Sequence, residues 1–493
     1  MTISTEDKTN KRDAIVQALQ QLLPANSVLA NPEELQPYEC DGLSAYRQLP
    51  MVVVLPETVE QIQGILKLCH SLDTPVVARG AGTGLSGGAL PLDNGVLLSL
   101  ARFNRIIEID PVNRTARVQP GVRNLAISEA AAQYGLYYAP DPSSQIACTI
   151  GGNVAENAGG VHCLKYGLTV HNILRLEVLT INGEKLTIGS AALDSPGYDL
   201  LALLTGSEGL LAITTEITVK LLPRPECARV IMSSFDSVIT AGAAVTAIIA
   251  NGIIPAGLEM LDNQAILAVN KFLNTGYPKD AEAILLCELD GSAAEVEEQT
   301  NRTHEVLKSA GSTSLKVSRD EAERQLFWAG RKAAFPAMGR LSPDYYCMDG
   351  TIPRKHLAQV LEIIGKLSEE YELPIGNVFH AGDGNLHPLI LYDANTPGEL
   401  ERTEELGGKI LELCVEVGGT ITGEHGVGLE KINQMCVQFN SDELEQFHAV
   451  KRAFDPHALL NPGKAIPTLH RCAEFGAMHV HKGQLPHPEL ERF

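Results

Sequence analysis

"RGAGTGLSGG", residues 79–88, follows the apolar run PVVAR (75–79) and decides how the first half of the chain is read. It contains Gly82-x-Gly84-x-x-Gly87, the spacing of a dinucleotide fingerprint. That fingerprint works only where the loop opens a helix, whose N-terminus meets the pyrophosphate. Here the chain runs into ALPLDNG, where Pro91 and the Asp93-Asn94-Gly95 turn leave no room for a helix. No Gly-Lys-Ser/Thr is present, so a P-loop is excluded as well. What remains is a run of backbone N–H groups with no side chains in the way, a nest that can wrap a phosphate. A plain flexible turn would not need this many glycines directly after a buried strand.

Working outward, MVVVL (51–55), TVEQIQGILKLCHS (58–71) and PVVAR predict a strand–helix–strand unit. GVLLSL, IIEIDP and TARVQP predict short strands, and a helix is expected from about 122 to 135. A second glycine-rich stretch, TIGGNVAENAGG (149–160), has the character of the first, with Asn153 and Asn157 offering amides to a planar heterocycle. APDPSS (139–144) lies between them, its prolines fixing an irregular backbone. ILRLEVLTINGEKLTIG (173–189) carries an Asn-Gly hairpin signal. Two glycine-rich segments about 70 residues apart suit one long ligand with a diphosphate in its middle, and FAD fits better than a mononucleotide.

Beyond PRPE (223–226) the pattern changes to strands alternating with long helices: 228–235, a helix near 240–250, 283–291, then helices at 293–310 and 355–371. This predicts a second α+β layer of antiparallel sheet and helices. The stretch 443–467 is expected to be a helix ending at Asn461-Pro462-Gly463. A length of 493 residues requires two or three domains. Their expected bounds are 1–225, 226–425, a segment 426–467 returning to the first, and a tail 468–493. With 39 basic against 60 acidic residues the net charge is −21, which repels nucleic acid and anionic membrane. The ten cysteines form no C-x-x-C pair, which excludes an iron–sulfur or zinc-ribbon motif and suits a reducing compartment. No run approaches the roughly 20 apolar residues of a membrane span. A cytoplasmic protein, peripheral at a membrane at most, is expected.

FHAGDGNLHPL (379–389) sets His380 and His387 around a Gly-Asp-Gly-Asn turn. Glu424, in TGEHGVG (422–428), is a third candidate ligand. Two imidazoles and a carboxylate suit a divalent metal with positions left open for substrate. Isolated histidines are also ordinary hydrogen-bonding residues, and the turn lacks the repeated acids of a calcium loop. FWAGRKAAFPAMGR (327–340) offers Arg331, Lys332 and Arg340 as cations for a carboxylate. On a helix from 322 to 338, Arg331 shares a face with Phe327, Ala334 and Phe335, where a buried arginine needs an anion.

RGAGTGLSGGAL, PDPSS…TIGGNVAENAGG and TGSEGLLAITTEITVKLLP together resemble the FAD-binding domain of the vanillyl-alcohol oxidase/PCMH family. FHAGDGNLH and GEHGVG resemble its glycolate-oxidase-subunit-D/D-lactate dehydrogenase branch, to which D-2-hydroxyglutarate dehydrogenases also belong. The resemblance spans roughly residues 20 to 467. It implies an α+β fold with a PCMH-type FAD-binding domain and a cap of antiparallel sheet flanked by helices. Cofactor contacts are expected from Gly80, Ala81, Gly82, Thr83, Gly84, Leu85, Ser86, Gly87 and Gly88, with the pyrophosphate on Gly82 to Gly88. Further cofactor contacts are expected from Pro140, Asp141, Ser143, Ser144, Thr149, Ile150, Gly151, Gly152, Asn153, Asn157, Ala158 and Gly160, with the isoalloxazine near Pro140 to Ser144 and Thr149 to Asn157. Glu208, Gly209 and Ile213 would serve the adenosine half, with Asn461 and Lys464 closing the site. The first loop has Thr83 and no histidine, so noncovalent FAD is implied.

The resemblance also favours a metal, zinc being the expected ion, on His380, His387 and Glu424. It implies His425 as catalytic base and Arg331 as the substrate-carboxylate partner, with Asn385 a further contact. Relatives that take larger diacids add a Thr and a Lys after this Arg, whereas four residues on from Arg331 stands Phe335. A small monocarboxylate, glycolate or D-lactate, is therefore expected. Electrons would pass to a quinone, cytochrome or iron–sulfur partner, and a homodimer is a candidate assembly. The alternatives are a D-lactate-specific dehydrogenase, an oxidase of the same fold passing electrons to oxygen, or the flavin subunit of a multi-subunit complex.

Overall fold

The computed structural model describes residues 5–192, 196–468 and 471–472. Most of the tail expected after 468 lies outside the described residues.

Val52–Val54 and Val76–Arg79 are fully apolar or nearly so because both faces of their sheet are covered. The helix between them, Val59–Ser71, starts on a Thr58/Gln61 capping box. The two strands are not neighbours: Val96–Ser99 enters between them, parallel to both, and Val28–Leu29 adds an antiparallel edge. A second, antiparallel sheet runs in the order Ile106–Asp110, Thr115–Val118, Ile213–Lys220, Ile173–Leu179, Lys185–Gly189. Gly183 takes the left-handed conformation (φ 72°) that the Asn-Gly hairpin requires.

The third sheet has seven strands, ordered Ser314–Val317, Cys227–Phe235, Ala283–Gly291, Gly257–Asp262, Ile375–Phe379, Pro388–Tyr392, Asp344–Cys347, all antiparallel. Leu285, Cys287 and Leu289 pack into one core with Val245, Leu307 and Ile364, while Ile284 and Leu286 face Ile266, Phe327 and Trp328. Alternation thus places helices on both sides of the sheet, and the central strand is apolar on both faces. Among the described residues no helix is long and apolar enough to cross a membrane.

Three expectations are corrected. The C-terminal helix is Ser441–Phe454 and stops at Asp455-Pro456, well before Asn461, because Pro456 cannot continue it. The chain then adds to the first sheet by a parallel bridge, Val76 to Leu460. The second glycine-rich stretch is a short helix, Ile150–Glu156, capped by Thr149, which accepts from Gly152 N; Gly151 and Gly152 serve close packing at its start. Finally, Cys436 and Cys472 form a disulfide, 36 residues apart with Cα atoms 5.2 Å from each other, a pairing that spacing in sequence could not show.

Candidate active site

The hairpin between Ile375–Phe379 and Pro388–Tyr392 places His380 and His387 at facing strand ends. Between them Gly384, at φ 84°, closes a turn in which His380 N donates to Asn385 O and Gly384 N to His380 O. The two imidazoles stand edge to face, centroids 5.1 Å apart, both almost fully buried. Their Nε2 atoms converge on one oxygen, Glu424 Oε1, at 3.3 Å and 3.0 Å. The other oxygen, Oε2, is buried with no hydrogen-bond partner. Burial alone would raise the Glu424 carboxyl, but His380 and His387 beside it hold it well below the ordinary range. In His380, burial is outweighed by Glu259 and Glu424, which raise it well above its usual value. Two imidazoles aimed at one carboxylate oxygen form a donor set of the right chemistry for a divalent ion, with protons standing where the ion's charge would act.

Two buried carboxylates hold this set, and neither is marked by a motif. Glu259 accepts from His380 Nδ1 through Oε1 at 2.7 Å and from Arg331 Nε through Oε2 at 2.7 Å. Asp349 accepts from the backbone N–H groups of Gly423, Glu424 and His425, from Thr422 Oγ1, from Asn385 Nδ2 and from Lys431 Nζ. Burial opposes its ionisation, yet the neighbouring His425, Lys431 and His387 hold it well below the ordinary carboxylate range. The only signal in sequence is an acid within or directly after an apolar strand, GLEMLD and YYCMD.

His425 stacks on His387, centroids 4.9 Å apart and planes 12° apart, and its Nδ1 is buried without a partner. Burial, assisted by His387 and opposed by Asp349, brings its pKa down to about 4, so its imidazole is neutral near pH 7 and can accept a proton.

The 422–430 segment is fastened to the glycine-rich loop. Glu208 accepts from Val427 N and Gly428 N, both at 2.7 Å, and Ser86 O accepts from Leu429 N and Glu430 N. A continuous cavity of about 400 Å³ consequently runs from the loop to His387, Glu424 and His425. Gly80, Ala81, Gly82, Thr83, Gly84, Leu85 and Gly88 line it, as do Ser143, Ser144, Thr149, Gly151, Gly152, Asn153 and Ala158, and Glu208, Gly209 and Ile213 farther along. A Cβ at Gly80 would run into Thr149 Oγ1 and one at Gly151 into Pro120, so this cradle is built for close backbone approach.

Other expected contacts are placed elsewhere. Ser86 and Gly87 turn toward the 428–430 segment, and Pro140, Ile150, Asn157 and Gly160 support the walls from behind. Asp141 is corrected to an anchor, for its carboxylate takes His162 N and Nδ1. Asn385 is spent on Asp349, and Asn461 on Gly88 O and Glu208 O. Lys464 donates to Gly88 O and Leu90 O, closing the loop from outside. Arg331 lies behind the cavity, Nε on Glu259 and Nη2 buried without a partner, while Lys332 and Phe335 line the cavity itself.

Residues 50–189 match the FAD binding domain family, and residues 224–465 match FAD linked oxidases, C-terminal domain. The chain belongs to the FAD-linked oxidases. It is 69% identical over 482 residues to glycolate oxidase subunit GlcD of Escherichia coli (strain K12), covering 98% of this chain and 97% of that protein. GlcD of Bacillus subtilis (strain 168) is 40% identical, over 87% and 91% of the two chains. D-lactate dehydrogenase of Anaerostipes hadrus is 32% identical, over 89% and 94%. p-Cresol methylhydroxylase with substrate bound superposes at TM-score 0.79 with 18% identity, covering 94% of this chain and 98% of that one. 4-Ethylphenol oxidase from Gulosibacter chungangensis superposes at 0.78 with 17% identity, covering 95% and 99%. This FAD-linked oxidase therefore has the PCMH-type FAD-binding fold with its cap and is an FAD-dependent oxidoreductase, as the glycine loops predict.

Proposed function

We propose that this FAD-linked oxidase oxidises a small D-2-hydroxy monocarboxylate, glycolate or D-lactate, to the 2-oxo acid and passes electrons to an acceptor other than oxygen. The observation that carries this is the convergence of His380, His387 and Glu424 beside His425 in a cavity continuous with the glycine cradle. When bound, FAD supplies a hydride acceptor and a divalent ion, zinc by its donor set, supplies the charge that acidifies an alcohol. His380, His387 and Glu424 would hold the ion. Glu259 fixes the His380 tautomer by accepting from Nδ1, leaving Nε2 for the ion. His425, neutral and next to the donor set, takes the hydroxyl proton.

Lys332, at the cavity wall, supplies a cation for the substrate carboxylate, and Arg331, behind that wall with its Nη2 unpartnered, adds positive charge to the same end. Phe335 lies 6.3 Å from His387, ring to ring, and supplies an apolar wall where a second carboxylate would need a cation. That supports a monocarboxylate. A second reading rests on the relatives' printed names: a protein similar to a glycolate oxidase subunit would deliver electrons within a complex.

The test is anaerobic mixing of purified holoprotein with glycolate, D-lactate, L-lactate and D-2-hydroxyglutarate, following flavin bleaching. Glycolate or D-lactate should bleach fastest, and chelation should abolish the effect with FAD retained. The reading fails if none of the four acids reduces the flavin. His425→Ala should lose reduction by about 100-fold or more while keeping FAD, and unchanged reduction would remove His425 as the base.

A further inference from the structure

Beside the His380–His387–Glu424 set lies another trio of donor atoms. The sulfur of Cys347 and one ring nitrogen each of His387 and His425 lie within 4.8 Å of one another. Cys347 ends the strand Asp344–Cys347, which pairs directly with the strand that His387 opens, so the sheet itself brings the thiol and the imidazole together.

We infer that Cys347, His387 and His425 form a second metal site, one for a thiophilic divalent ion such as Cd²⁺ or excess Zn²⁺, and that filling it inhibits the enzyme by engaging His425.

The donor atoms are weakly committed elsewhere. Cys347 Sγ and His387 Nδ1 each make only a 3.4 Å contact, both to Met348 O, and His425 Nδ1 has no partner. His387 Nε2 already faces Glu424, which leaves Nδ1 for the second ion. Tetrahedral zinc with sulfur at about 2.3 Å and nitrogen at about 2.0 Å sets its ligand atoms roughly 3.5 Å apart. Side-chain rotations of about an ångström close the trio without breaking a strong hydrogen bond.

Charge favours the ion as well. Asp349 Oδ1 lies 4.0 Å from His387 Nδ1, and Asp349, Glu430 and Glu424 surround Cys347 closely enough to oppose its ionisation and outweigh the cation among them, Lys431. Burial raises the thiol first, and those acids raise it further. The same negative surroundings attract a cation. On binding, the S–H and His387 Nδ1–H bonds break, the sulfur and the two ring nitrogens bond to the metal, and two protons leave to buffer, so that His387 bridges the two ions as an imidazolate with no change of oxidation state. Hard ions such as Mg²⁺ and Mn²⁺ prefer oxygen and should leave the trio empty. The cavity wall already includes His387 and His425, so an ion has a route in.

The inhibition, though not the site, rests on His425 acting as base. The experiment titrates Cd²⁺ into holoprotein carrying one equivalent of Zn²⁺, for the wild type, Cys347→Ser and Cys347→Ala. It follows the ultraviolet cadmium–thiolate band, bound metal and the rate of flavin reduction by glycolate. The wild type should gain the band with one further ion and slow by about 100-fold, the size of a general-base contribution. Both variants should keep FAD and rate and should lack that band in a difference spectrum, which separates Cys347 from the other free thiols. No band in the wild type, or equal inhibition of wild type and both variants, overturns the site. A Cys347-dependent band without slowing upholds the site and overturns His425 as the base. Two variants guard against one of them failing to fold.

Discussion

Replacing Glu259 by Gln removes one charge from a carboxylate with no exposed surface, shared by Arg331 and His380 at 2.7 Å each. Arg331 is itself only 1% exposed, so its guanidinium would lose its one ion-pair partner among the described residues. Breaking one half of a buried ion pair costs about 3–5 kcal/mol, most of it from stranding the other charge. The second effect is on His380. Gln keeps a single acceptor oxygen for these two donors, and with that oxygen on Arg331 Nε its NH₂ faces His380 Nδ1, so the imidazole would move its proton to Nε2, the atom aimed at Glu424. Loss of such an outer carboxylate weakens metal binding by about 10–100-fold, or about 1.4–2.7 kcal/mol at 1.36 kcal/mol per tenfold. The assays are denaturant unfolding of the holoprotein, zinc affinity by competition with a chelating dye, and steady-state kinetics with glycolate. Glu259→Gln should lose stability and zinc affinity together. Adding Arg331→Met should restore most of the stability, because both charges are then gone, but neither the zinc affinity nor KM. Zinc affinity within about threefold of wild type, or no rescue by the second substitution, would refute the bridging role.

Asp349→Asn removes the charge and one of the two acceptor oxygens that three consecutive N–H groups share, and should cost about 3–5 kcal/mol while disordering Glu424 and His425 together, read as lost metal and lost rate with FAD retained. The pH dependence follows from His425: its neutral, proton-accepting form is lost only as pH falls through about 4, and a bound cation would lower this further. With substrate and metal saturating, the reduction rate should therefore be flat above about pH 5, and an acid limb centred near 6.5 would refute its burial. Gly82→Ala places a side chain at φ 70° against the Arg79 guanidinium, and should cost about 1–2 kcal/mol and lower FAD occupancy, measured by flavin absorbance per protein. Comparing Lys332→Met with Arg331→Met should raise KM in both, with unfolding weakened only in the second, since Lys332 is exposed and Arg331 is buried on Glu259.

The sequence by itself determined the cofactor class and the pieces of the site. A glycine run that cannot open a helix leaves only a backbone nest, and that argument needs no coordinates, because Pro91 and the Asp-Asn-Gly turn are local facts. His380, His387 and the turn between them were legible for the same reason, since a two-strand hairpin is specified by its own residues. Local signals also misled: the helical pattern of 443–467 is cut at Pro456, and Ile150–Glu156 within TIGGNVAENAGG is a helix capped by Thr149 Oγ1, which accepts from Gly152 N. Only the tertiary structure decided which groups work together. Glu259 and Asp349 are 121 and 36 residues from the His380 and Asn385 side chains they hold, and nothing in a one-dimensional pattern links them. A buried charge must find its partner through folding, so its role is written in the packing of the third sheet rather than in the residues around it. The same packing commits the Asn385 amide to Asp349, turns Asp141 to His162, and sets Cys347 beside His387.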